Sequence, residues 1–260
     1  MGIDISQNQV QLWLMRDKTV CDPYLLAKYR NYLTPQEKRK GEKFYFAKDR
    51  KQYLLTRSLV RSVLSLYEPG VAPEDWRFRT NRYGKPFINN KNLLKDLYFN
   101  LSHTDGMIVV AVSGRDGVGV DIEYSLRKAD INIARRYFSA DEFSSLISLP
   151  PERQLCRFFE LWTLKEAYIK GIGKGLHMPL DSFSVLFNED RTFRFRDEDG
   201  DGGESWCFWT WQPEENYVLS LACYMAAVHE KMDLIVHEVV PDVYEKELFR
   251  SHLTAALIGK

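Results

Sequence analysis

In Gly117-Val118-Gly119-Val120-Asp121-Ile122-Glu123 the two-residue period of an extended strand sets Val118, Val120 and Ile122 on one face and Gly119, Asp121 and Glu123 on the other. Two carboxylates then point the same way, and the glycine beside them leaves room for a ligand or metal to approach. Alone, such a pair fits the solvated face of an antiparallel strand. A third acid changes its weight. Between Glu152 and Lys170 the apolar stripe Leu155, Phe159, Trp162 and Ile169 has the spacing of a buried helix face, and Glu166 falls on that stripe. A carboxylate there is partly buried and costly unless paired or metal-bound, and Lys170, one turn later, can pair with it or reach a phosphate. Three oxygen donors without histidine or cysteine at metal spacing suit a hard cation such as magnesium, which binds through few carboxylates plus substrate phosphates.

Ser102 and His103 offer a hydroxyl and an imidazole to such a phosphate, but neighbours on a strand point opposite ways, so they form no nucleophilic pair. Lys40, on a basic segment, and Lys85, in Tyr83-Gly84-Lys85-Pro86, are further phosphate candidates, although basic helices are most often solvated faces. Asp197-Glu198-Asp199-Gly200-Asp201-Gly202 matches the first half of a calcium loop. Its twelfth position is Phe208 in place of a bidentate glutamate, and its flanks alternate like strands, so a hairpin turn is expected there.

These residues need elements to hold them. Gln9 to Met15 alternates as a strand. Asp22-Pro23 opens a helix to Leu33, and Thr34-Pro35-Gln36-Glu37 is a capping box ahead of a basic helix. A long amphipathic helix spans about Ala47 to Leu66. Leu97 to His103, Met107 to Ser113 and Val118 to Glu123, joined by Asp105-Gly106 and Gly114 to Gly117, read as an antiparallel meander. Its first and third strands run the same way, which brings Ser102 and His103 to the sheet edge that carries Asp121 and Glu123. Helices follow at Ile131 to Phe138, after the Ser139 cap, and from Glu152 to Lys170. Strands are expected at Phe183 to Phe187, Phe193 to Arg196, Trp206 to Trp211 and Tyr217 to Tyr224, and a helical tail from Val243. Both halves thus carry long helices and an antiparallel sheet, an α+β arrangement suggestive of internal duplication, with a boundary near residue 115 that separates 1–115 from 116–260.

At 260 residues the chain can bury a sizeable core without staples. Thirty-six basic and thirty-six acidic residues cancel, which gives no general attraction to nucleic acid or anionic membrane. The four cysteines are dispersed without a CxxC pair, no signal pattern opens the chain and no apolar run reaches membrane-spanning length, so a cytoplasmic, reduced protein is expected.

Three blocks resemble the phosphopantetheinyl transferase superfamily, in its double-length, Sfp-type branch: Phe99-Asn100-Leu101-Ser102-His103-Thr104, Gly117 to Glu123, and Leu161-Trp162-Thr163-Leu164-Lys165-Glu166-Ala167-Tyr168-Ile169-Lys170 with Gly173-Lys174-Gly175-Leu176. Weaker similarity covers Phe44 to Arg61, Tyr83 to Pro86 and Phe138 to Phe143. The resemblance implies a monomer of two similar α/β halves related by a pseudo-two-fold axis, with coenzyme A in the cleft between them. It implies transfer of the phosphopantetheine arm to a serine of an apo acyl or peptidyl carrier protein, with release of 3′,5′-ADP. By motif position, Asp121, Glu123 and Glu166 would hold magnesium, Lys170 the pyrophosphate, and Ser102, His103, Lys85 and Lys40 the other phosphates. Glu166, Glu142 or a metal-bound water would take the serine proton; Glu142 also sits where a capping box needs it. Gly173 to Met178, with Lys174, would dock an acidic carrier. A magnesium-dependent nuclease and a non-catalytic coenzyme A- or carrier-binding module are the competing classes. The neutral charge weighs against the first and the complete acid set against the second.

Overall fold

The computed structural model describes residues 2–126, 130–188, 192–197, 205–227, 230–254 and 257–258. In chain order the elements are β1 (Gln9–Arg16), α1 (Pro23–Tyr32), α2 (Pro35–Glu42), α3 (Ala47–Tyr67), β2 (Phe78–Thr80), β3 (Pro86–Ile88), β4 (Tyr98–Thr104), β5 (Met107–Ser113), β6 (Val118–Tyr124), α4 (Ala134–Tyr137), α5 (Ala140–Ile147), α6 (Pro151–Ile172), β7 (Phe183–Phe187), β8 (Phe193–Asp197), β9 (Ser205–Trp211), β10 (Tyr217–Met225), β11 (Lys231–Val240), β12 (Tyr244–Thr254) and β13 (Leu257–Ile258). Local chemistry sets the helix starts. Asp22 accepts the Tyr24 N–H, and Thr34 with Glu37 and Ser139 with Glu142 both close capping boxes. At its far end α6 stops on Gly173, whose φ of 78° is a left-handed cap.

Two sheets pack face to face between two long helices. The first has the order β12-β11-β1-β5-β4 and the second β6-β10-β9. On β1, Trp13 and Met15 turn toward α1 and α3, where they join Tyr29, Leu55, Leu59 and Val63. Val10, Leu12 and Leu14 turn the other way and meet Val120, Ile122, Leu219 and Leu221 of the second sheet. Phe208 and Ala222, on the outer face of that second sheet, pack against Leu164, Ala167 and Tyr168 of α6. The strand alternation thus builds two separate cores from one run of residues. The protein is a mixed α and β fold with several sheets and, among the described residues, six α-helices.

Three sequence expectations are corrected. The meander does not close, because β5 has β1 on its other side and β6 pairs instead with β10. The relation between the first and third strands survives in another form. Along β4, Asn100, Ser102 and Thr104 share a face and bond in step to β6: the Val120 N–H donates to Asn100 Oδ1 (3.0 Å), Ser102 Oγ to Asp121 Oδ1 (2.7 Å), and the Tyr124 N–H to Thr104 Oγ1 (3.2 Å). Side chains strap the edges of the two sheets where no backbone ladder forms.

The tail from Val243 is a strand, β12, paired antiparallel to β11 with an irregularity at Val236/His237. Its charged, mostly exposed run Tyr244-Glu245-Lys246-Glu247 suits the guarded edge of a sheet as well as a helix surface. Strand β11 itself lies parallel to β1, so residues 231–254 extend the sheet that residues 9–16 begin. The expected hairpin around Asp197 is not made either, since β8 pairs with β7 and β13 while β9 pairs with β10; residues 198–202 of that acidic segment lie outside the described residues.

Candidate active site

Gly119 determines how closely α6 approaches β6. A Cβ built there would lie 2.0 Å from the Ala167 carbonyl oxygen and 2.3 Å from the Gly171 nitrogen. The bare position therefore admits the helix backbone, where sequence reasoning had left it for a ligand. This close approach puts Lys170, on the last turn of α6, over the strand. Its Nζ donates to Asp121 Oδ1 (2.6 Å), to Ser102 Oγ (3.0 Å) and to the Val120 carbonyl (3.3 Å). Strands β4 and β6 and helix α6 each contribute one polar side chain to a single point.

Asp121 is only 5% exposed, and while Oδ1 receives both Ser102 and Lys170, Oδ2 is buried without a partner. Glu166, one turn before Lys170 on α6, is half-buried, and burial first, then the charge of Asp121, raise its carboxyl to about 6 against the opposing pull of Lys170. Glu123 is half-buried on the same face of β6 as Asp121. His103, next to Ser102 on β4 and exposed on one side, titrates below its ordinary value because its surroundings desolvate the charged ring and Lys170 repels it.

Beside this cluster runs a cleft of about 310 Å³ lined by Arg57, Lys85, Asn100 and Lys170 among others. Lys85 Nζ donates to the Gly171 carbonyl (2.8 Å), and burial lowers its pKa. The β2–β3 turn is fastened to the end of α6 by Asn81 Nδ2, which donates to the Gly173 carbonyl (2.7 Å). Lys174 and Leu176 are exposed just beyond.

Two sequence candidates lie apart from the cluster. Lys40 is exposed on α2, its Nζ 6.0 Å from the Tyr53 ring centre. Glu142 is wholly buried and receives Lys165 Nζ (2.6 and 2.8 Å), the Ser139 N–H and the Val185 N–H. Its lone pairs are engaged in tying α5 to α6 and β7. Two residues of the cleft went unnoticed in the sequence. Asn100 was legible, since the two-residue period puts it on the Ser102 face of β4. Arg57 carried no signal, being one basic residue of an amphipathic helix.

Among the described residues no group of three or more His, Cys, Asp and Glu side chains is gathered as a ready metal cage. The observation that bears on a cation is the orphaned Asp121 Oδ2 beside Glu166, whose proton is held partly by that neighbouring charge. Such a buried acid pair, at the edge of a cleft with cationic walls, fits a hard divalent ion arriving with phosphate oxygens. The site so described is a cleft between α3, the β2–β3 turn, β4 and the end of α6, with three cationic side chains on its walls and a buried carboxylate at its edge.

Comparison with known proteins gives the family. A family model described as the 4′-phosphopantetheinyl transferase superfamily matches residues 117–222, and one described as 4′-phosphopantetheinyl transferase, N-terminal, matches residues 23–115. The chain is 37% identical over 163 residues to 4′-phosphopantetheinyl transferase Sfp of Bacillus subtilis (strain 168), spanning 63% of this chain and 70% of that one. It is 35% identical over 189 residues to a further 4′-phosphopantetheinyl transferase of Bacillus subtilis, with 73% and 81% covered. To 4′-phosphopantetheinyl transferase gsp of Aneurinibacillus migulanus it is 40% identical over 149 residues, with 57% and 60% covered. The chain belongs to the 4′-phosphopantetheinyl transferase superfamily, as an enzyme of its Sfp-type branch.

Proposed function

We propose that the enzyme transfers the 4′-phosphopantetheine group of coenzyme A to a serine of an apo acyl or peptidyl carrier protein, releases 3′,5′-ADP and requires magnesium. The observation that carries this reading is the convergence of Ser102, Asp121 and Lys170 at the edge of the cleft, with one oxygen of Asp121 buried and unpartnered. Coenzyme A would lie in the cleft with its phosphates toward Arg57, Lys85, Ser102 and His103, and with Lys40 at the outer end. Asp121, Glu123 and Glu166 would hold the magnesium, which supplies positive charge against the diphosphate.

The chain's own residues do the rest. Lys170 Nζ moves from Asp121 toward the diphosphate and stabilises the charge that gathers on its oxygens. Glu166, half-buried one turn before Lys170, accepts the proton of the carrier's serine. The serine oxygen then bonds to the phosphorus that bears pantetheine, and the bond to the 5′-phosphate oxygen of 3′,5′-ADP breaks. Glu142, held by three donors through four hydrogen bonds, serves the structure in this scheme. The loop after α6, with Lys174 and Leu176 exposed, receives the carrier. A monomer of two pseudo-symmetric halves working in the cytoplasm completes the proposal, the halves dividing near residue 115 except that residues 231–254 return to the first sheet; the order of helix, sheet, sheet, helix supports the two-fold relation.

The test is to incubate the protein with coenzyme A, magnesium chloride and an apo-carrier and to weigh the carrier. A phosphopantetheine adduct on serine, absent with chelator and absent for Asp121→Asn, is the expected result. An unmodified carrier, or one modified equally with chelator present, overturns the scheme.

A further inference from the structure

The role of Asn100 does not end with strapping two sheets together. Its side chain is 4% exposed, and it both touches β6 and lines the cleft. Oδ1 receives the Val120 N–H at 3.0 Å, which fixes which end of the amide faces the strand. Nδ2 makes no hydrogen bond with the described residues and is not among their fully buried unpartnered atoms, and since Asn100 lines the cleft, the NH2 group is the donor it offers there. The two-residue period sets this group next to Ser102, whose hydroxyl is already engaged with Asp121. Of the three polar residues on that face of β4, Asn100 is the one that lines the cleft, and its amide offers a neutral donor there.

We infer that Asn100 is a substrate-binding residue whose Nδ2 donates to a phosphoryl oxygen of the coenzyme A diphosphate. The inference rests on the function proposed above and adds to it a contact that needs no charge. A lysine ammonium offers attraction from any direction, whereas an amide anchored through its own oxygen offers a donor in one orientation, and so it orients the diphosphate relative to Lys170. The Val120 N–H lies one residue before Asp121, so the same side chain would hold the substrate and the strand that carries the acid.

Asn100→Asp separates the two roles, because a carboxylate still accepts the Val120 N–H but presents an oxygen where the donor was. Asn100→Leu removes both. Titration calorimetry with coenzyme A, thermal unfolding, and the KM values for coenzyme A and carrier are measured on wild type and both variants. The expected result for Asn100→Asp is an unfolding temperature lowered by the added buried charge but above that of Asn100→Leu, coenzyme A affinity weakened roughly ten- to a hundredfold, and an unchanged KM for the carrier. Asn100→Leu is expected to lose both affinity and stability. Wild-type affinity for coenzyme A in Asn100→Asp, while wild type transfers normally, reduces Asn100 to a strap and overturns this inference alone. A wild-type protein that transfers nothing overturns the proposed function and this inference with it.

Discussion

Glu166 illustrates how function and stability pull against each other at one residue. Its folded value of about 6 lies above the ordinary 4.5, so the folded state holds the proton more tightly than the unfolded chain. Stability from this group is therefore full below the unfolded value and lost as pH rises through the folded one. In metal-free buffer, Glu166→Gln is expected to be more stable than wild type by roughly 1–2 kcal/mol at pH 7.5, after allowance for solvent screening, and equal to it near pH 4.5. Urea unfolding at the two pH values checks this, and the same variant is expected to lose transferase activity at least a hundredfold. Glu142 behaves oppositely. Breaking the buried Glu142–Lys165 pair with Glu142→Gln is expected to cost about 3–5 kcal/mol, while turnover per folded molecule at low temperature stays within a few-fold of wild type. Equilibrium unfolding paired with active-site titration separates the two effects. The sequence allowed both readings of Glu142, as base and as cap. The structure shows the cap and adds a buried partner that the stripe of α6 does not announce, since nothing in that stripe tells that Lys165 lies wholly inside.

At the scale of elements, the meeting of α6 with β6 depends on a residue with no side chain. Gly119→Ala sets a methyl against backbone atoms of Ala167 and Gly171, which cannot rotate away, so the helix must shift outward. The expected loss is about 3 kcal/mol in stability, with a further fall in kcat of tenfold or more as Lys170 leaves Asp121. Denaturant titration and steady-state kinetics on the same preparation measure both. Most elements near the site were legible from caps and period: the two capping boxes, the long helices, and β4, β5 and β6 lie where the pattern puts them. Their pairing was not. A strand's own residues carry its period but not the identity of its neighbour, and β6 joins β10 across almost a hundred residues of intervening chain. The tail misled for a related reason, since a short run of alternating charges satisfies a helix surface and an edge strand alike.

Over the whole molecule, the strand faces and helix phase that carry Ser102, Asp121, Glu166 and Lys170 are local and legible in the sequence, whereas the partner that Lys170 takes, Asp121 in place of the expected Glu166, is not. The sheet order depends on contacts far apart along the chain, where Gln9 meets Asp233 and Leu14 meets Glu238. A fragment ending at residue 230 would leave β1 with Val10, Leu12 and Leu14 beside an open edge, deprived of Leu234 and Val236. Such a fragment is expected to bind a hydrophobic dye and to elute as aggregate in size-exclusion chromatography; a sharp monomer peak with a cooperative melt would show that the parallel strand is dispensable. The parallel pairing also has a consequence for biosynthesis. Every residue through Val240 must leave the ribosome before the first sheet can acquire its fourth strand, so the half that emerges early waits, with an apolar strand uncovered, for the half that emerges late. Maturation of this enzyme is thereby bound to completion of its own synthesis, and a stalled or prematurely released chain is a substrate for chaperones before it can be one for catalysis.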